Sequence, residues 1–129
     1  MAVVTVGFTG TRQGMSRLQA SQLQYVLAVF RHSDQHVRRD SMFVDGNSPD
    51  GGADQQARAI AAALGYVTKQ EPPDGRSAAD MLARNRRIVA QCTVLVAAPL
   101  TDKEELRSGT WATVRYARKA GKPVVMLSR

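Results

Sequence analysis

Hydrophobic and polar positions alternate between two periods along the chain. Short, continuous apolar runs give way to longer segments with apolar residues three and four apart. Ala2 to Phe8 is an apolar, β-branched run that predicts a buried strand. Ser16 is placed to cap a helix whose buried face is Leu23, Val26, Leu27 and Phe30. Arg31 to Asp40 is polar and predicts a loop, and Met42–Val44 a brief second strand. A helix striped by Ala57, Ile60, Ala61 and Leu64 follows from Ala53 and stops at Gly65. Tyr66–Thr68 is a third strand, Pro72-Pro73 marks a loop, and Ser77 to Gln91 is a third helix. Thr93–Ala98 is a continuous buried strand, Gly109 to Ala120 a fourth helix, and Val124–Leu127 a last strand after Gly121-Lys122-Pro123.

Strands alternating with helices predict a parallel sheet covered on both faces. The expected fold is α/β: one Rossmann-like three-layer domain over residues 1–129. Its mostly parallel five-stranded sheet has the order 3-2-1-4-5, with helices on both faces.

Three glycine-centred turns fall where strands hand over to helices: Gly7-Phe8-Thr9-Gly10-Thr11-Arg12, Gly51-Gly52-Ala53-Asp54 and Ser108-Gly109-Thr110. In a parallel sheet such turns emerge on one edge, where helix N-termini offer N–H groups and partial positive charge. That predicts a phosphate or nucleotide site. Gly10, Thr11 and Arg12 would supply backbone, hydroxyl and guanidinium, although a tight turn with a surface arginine explains the same residues. The spacing departs from the dinucleotide fingerprint, because the third glycine falls at Gly14. Gly52 would open the second turn, and Asp54 would either sit in the field of its helix or bind a sugar hydroxyl or base. Asp45, Asn47 and Asp50 are further rim candidates. Ser108, Gly109, Thr110 and Thr113 would face a ligand from the fourth helix, with ordinary capping by Ser108 as the competing explanation.

On the third helix, Ala78, Met81, Leu82, Ile88, Val89 and Cys92 make one apolar face with Asn85 at its centre. A buried amide needs a fixed partner, so Asn85 is expected to bond a loop backbone. The flanking Arg84 is expected to reach a phosphate or acid in the cleft.

The hydrophobic fraction of 43% supports a packed core, and no run is long enough to span a membrane. With no signal-peptide pattern, the expected location is the cytoplasm. One cysteine, Cys92, excludes a disulfide framework and fits buried packing. His32 and His36 stand four apart without a third ligand, so no metal and no cofactor are expected. The formal charge of +7 favours an anionic partner. The basic residues are scattered, however, and few aromatics remain for stacking on bases, which leaves nucleic acid possible but not favoured. Trp111 is expected in the core or at a dimer contact.

Taken together, Val6-Gly7-Phe8-Thr9-Gly10-Thr11-Arg12, Gly52-Ala53-Asp54, Arg84-Asn85-Arg86-Arg87-Ile88-Val89 and the block from Leu106 to Ala117 resemble the SLOG superfamily. It includes the Lonely Guy phosphoribohydrolases, the so-called lysine decarboxylases and the DNA-processing protein A family. The resemblance implies a Rossmann-like fold, a nucleotide-related ligand at the strand ends and a homodimer. It also exposes departures. Where Lonely Guy enzymes carry a catalytic glutamate, this chain has Thr113, and Asn85 stands where their lysine would be. The expected function is therefore binding of a nucleotide or nucleotide-derived ligand, as a sensor or sequestering module. The alternatives are a nucleoside-monophosphate N-glycosidase, with Asp54, Glu105 or Arg84 as replacement catalytic groups, and single-stranded nucleic-acid binding.

Overall fold

In the computed structural model the sheet has five parallel strands in the order β3-β2-β1-β4-β5. The structure describes residues 4–33, 41–47 and 52–129, with the side chains of residues 32 and 33 excepted. The elements follow the order β1 (Thr5–Gly10), α1 (Arg17–Ser33), β2 (Met42–Asp45), α2 (Ala53–Ala63), β3 (Val67–Gln70), α3 (Ala78–Gln91), β4 (Val94–Ala98), α4 (Gly109–Lys119) and β5 (Val124–Met126). This is the architecture and strand order expected from the sequence. Some boundaries move: α1 continues to Ser33, through the first polar residues that were expected to be loop, and β1 and β3 run on to Gly10 and Gln70.

The side-chain alternation of the strands divides the core in two. Val94, Val96 and Ala98 of β4 face one layer with Leu23, Leu27, Ala57 and Ala61 of α1 and α2. Leu95 and Ala97 face the other, with Ile88, Val89, Val114 and Ala117 of α3 and α4. Cys92 and Trp111 are buried in this second layer, so Trp111 is a core residue and the thiol is packing. Burial pushes the Cys92 thiol pKa up, which keeps it protonated and inert.

Glycine at position 7 lets α3 lie close on β1: a Cβ there would meet Cys92 Cβ and Ile88 Cγ2 at 3.0 Å. Gly10 does the same for α2, where a Cβ would stand 2.6 Å from that of Ala53. Gln19 is fully buried and joins three segments. With Ser16 it forms a reciprocal pair at the start of α1, Gln19 N to Ser16 Oγ and Ser16 N to Gln19 Oε1, both 3.1 Å. Its Nε2 donates to the carbonyls of Pro99 at 2.8 Å and Leu127 at 3.4 Å. The exits of β4 and β5 are thereby tied to the first helix.

Candidate functional site

Strand order reverses between β1 and β4, because the connections from β1 lead one way and those from β4 the other. Their C-terminal ends lie side by side, with Gly10 paired to Ala98. Crevices outside such switch points are where open α/β sheets hold ligands. A cleft of about 500 Å³ opens here. Gly10, Thr11 and Arg12 from the end of β1 and the turn after it, Asp54 from α2, Arg84 and Asn85 from α3, and Ser108, Gly109 and Thr110 from the cap and first turn of α4 all line it. The three turns therefore meet at one rim.

Each wall has a local cause. The Thr11 carbonyl accepts from Ala53 N at 3.0 Å and from Gly14 N at 3.2 Å, which fixes the first turn against the start of α2. Ser108 caps α4 by accepting from Trp111 N at 3.2 Å. The N–H groups of Gly109 and Thr110 lie in the unpaired first turn of that helix and face the cleft. A Cβ on Gly109 would meet nothing within 4 Å, so its missing side chain leaves space in the cleft rather than relieving a clash.

Arg84 is only 7% exposed. Its Nη1 donates to the Gly46 carbonyl, its Nε to Asn85 Oδ1 at 2.7 Å and its Nη2 to Met81 Sδ at 3.8 Å. Burial pushes its pKa down, with Asp54 acting in the opposite direction and Arg12 and Arg87 adding to the decrease. A guanidinium stays charged through such a shift. Asp54 is 4% exposed, in the first turn of α2, and its carboxylate field reaches both Arg84 and Arg58. The α2 N-cap, Gly52, has no side chain to bond, so Asp54 is a first-turn acid and not the cap.

Four expectations change. Asn85 was expected to be buried and bonded to a loop backbone; it is half-buried, and the loop contact belongs to Arg84. Met81 and Asn85 of the apolar face line the cleft, while Val89 and Cys92 further along it pack in the core and Ile88 does both. Thr113 does not line the cleft. Its hydroxyl donates back to the Gly109 carbonyl at 2.8 Å, and it borders a shallow groove with Leu82, Arg86 and Tyr116. Gly52 also stands behind the rim, where a Cβ would meet the Arg12 backbone at 3.1 Å. Asp45 is no rim group either: it is fully buried and bound by Arg58 at 2.9 and 3.0 Å, with Asn47 N donating to it at 2.7 Å.

Asp50, Gly51 and His36 lie outside the described residues, as does the His32 side chain. Among the described residues no cluster of three His, Cys, Asp or Glu could hold a metal ion. Nor is any described helix long and apolar enough to cross a membrane.

Several lining residues were not expected as ligand groups from the sequence. Gln13, Leu100 and Arg107 reach the cleft through loops, and Gly46 through its backbone. Glu105 also lines it, and its Oε1 accepts from the Thr101 hydroxyl at 2.9 Å.

No protein-family model and no curated protein matches the chain. Solved structures share its fold. DNA processing protein A (DprA) from Streptococcus pneumoniae superposes with a TM-score of 0.71 at 19% identity, over 96% of this chain and 50% of that one. This chain thus spans half the length of that protein. The Moco carrier protein of Chlamydomonas rheinhardtii gives 0.66 at 21% identity, covering 98% of this chain and 77% of that one. The molybdenum cofactor binding protein of the phototrophic bacterium Rippkaea orientalis gives 0.67 at 18% identity, covering 100% and 78%. The chain thus shares the Rossmann-like α/β fold of these proteins.

Proposed function

We propose that the chain is a binding module that holds a nucleotide or nucleotide-derived anion in the switch-point cleft, as a sensor or sequestering protein without turnover. One observation carries this: Arg12, Arg84, Arg107 and the first residues of α4 line the same cleft, together with the carboxylate of Asp54. Forked guanidinium donors and a helix N-terminus suit a phosphoryl group. Asp54 on the same lining suits a sugar hydroxyl. Hydrophobic Met81, Ile88 and Leu100 line the remainder and would cover a heterocycle. Two fold neighbours are named for carrying or binding the molybdenum cofactor, which supports a small-molecule ligand for this fold.

Position 113 supports binding over turnover, because a threonine whose hydroxyl is bonded to its own helix cannot stabilise a developing sugar cation. Mass spectrometry of molecules that co-purify with the native protein tests the proposal directly. A phosphorylated heterocycle at near-stoichiometric amount is the expected result. A thermal shift with AMP is the second measure, since a ligand at 100 times its Kd adds about 2.7 kcal/mol. No shift with any organic phosphate would sink the proposal.

One observation favours a second function, nucleotide N-glycosidase. Glu105 stands at the cleft, held by Thr101, so the cleft contains two carboxylates. Release of free base from AMP or CMP, abolished by Asp54→Ala or Glu105→Gln, would establish that chemistry.

A further inference from the structure

Two neighbouring side chains on α3, Arg84 and Asn85, settle a question of hydrogen-bond polarity in the cleft. A guanidinium has donors and no acceptor, so the Asn85 atom 2.7 Å from Arg84 Nε must be the carbonyl oxygen. Arg84 cannot swing to permit the other orientation, because it is buried and its Nη1 is held by the Gly46 carbonyl. Turning the amide over would set N–H against N–H beside a positive charge. The Asn85 oxygen is therefore committed. The amide nitrogen makes no hydrogen bond to a described residue, and the half-buried side chain stands between the cleft and the shallow groove beside Leu82, Arg86 and Tyr116.

We infer that Asn85 is a specificity-determining residue that offers only N–H donors to the ligand, and so selects a group with acceptor oxygens, a phosphoryl oxygen above all. This rests on the binding function proposed above. The bond to a cation polarises the amide and strengthens its remaining donors. Arg12 and Arg107 on the same cleft make an anionic acceptor the favoured one. A ligand presenting an ammonium or amide N–H at this point would leave donors facing donors, at the cost of an unmade bond on each.

The test is Asn85→Asp. A carboxylate has the same shape and still accepts from Arg84 Nε, so folding is retained. It removes both donors and places a negative charge beside the ligand. AMP and ribose 5-phosphate serve as probes in calorimetric titration, with the unliganded thermal midpoint as the control for folding. The native protein should bind at least one of them. N85D should keep its midpoint and bind at least tenfold more weakly. Native-like affinity in N85D would overturn the role of Asn85 while leaving the binding function standing. Failure of the native protein to bind either phosphate would overturn both. Should N85D fail to fold, Asn85→Ala at this half-exposed position is the second variant. Weakened binding there supports the inference, and unchanged binding refutes it.

Discussion

Two glycines that look alike in sequence have opposite roles at the level of single residues. Gly10 is required by packing, because a Cβ would press on that of Ala53 at 2.6 Å. Gly10→Ala should destabilise the protein by about 1–3 kcal/mol in urea unfolding, the usual cost of overpacking. Gly109 has open space in place of a Cβ, so Gly109→Ala should change stability by no more than ~0.5 kcal/mol. Under the proposed function, that variant should nonetheless weaken binding of AMP by intruding on the cleft. Asp45 gives a third expectation. It is fully buried and held by Arg58, so Arg58→Ala would strand a buried carboxylate at a cost on the order of 3 kcal/mol. The turns were legible in the sequence because glycine falls where an apolar run ends and helical spacing begins. The Asp45–Arg58 pair was not, since 13 residues separate its members and no local pattern links them. Thr113 was misplaced for a different reason: the motif gives its position, but its hydroxyl turns back to Gly109.

At the level of elements, α3 is the wall whose order matters most to the cleft. Ser77 and Asp80 form a reciprocal box at its start, with Asp80 N to Ser77 Oγ at 3.0 Å and Ser77 N to Asp80 Oδ2 at 3.3 Å. Ser77→Ala should cost about 1 kcal/mol, read from thermal or urea unfolding. The same helix is tied to the exit of β3 by Glu71, which accepts from Arg87 Nε at 3.0 Å and from Gln91 Nε2 at 2.9 Å. The bonds from Gln91 and Arg87 hold the Glu71 pKa below its ordinary value. A depressed carboxylate stabilises the fold above its unfolded pKa of about 4.3 and loses that contribution as pH falls through the lower folded value. The stability gap between native protein and Glu71→Gln should therefore narrow below about pH 4 and hold steady at neutral pH. An equal gap at pH 3 and pH 7 would contradict this. The existence and type of the nine elements were legible because each is a run or stripe of one period. The orientation of α3 was not. Periodicity locates an apolar face, but it does not say where along the helix the sheet beneath it ends.

The whole molecule carries a formal charge of +7, and three arginines converge on one cleft. Anion binding there should weaken as salt rises from about 0.05 to 0.5 M, because screening shortens the reach of exposed charges. The buried Arg84 should lose less of its contribution than the exposed Arg12 and Arg107. The strand order was legible from the alternation of elements together with the right-handed crossover rule. Which loops supplied the remaining lining, such as Leu100 and Arg107, depended on how the β4–α4 connection folds, and no period encodes that. The Gln19 amide, deep beneath that connection, has a consequence for motion. It fastens the ends of β4 and β5 to the start of α1, so those segments cannot loosen one at a time. Deuterium should enter the backbone at Val96, Ala97 and Leu127 only through cooperative unfolding of the entire sheet. The trough between β1 and β4 would then be rigid before any guest arrives, and association would show no slow assembly phase.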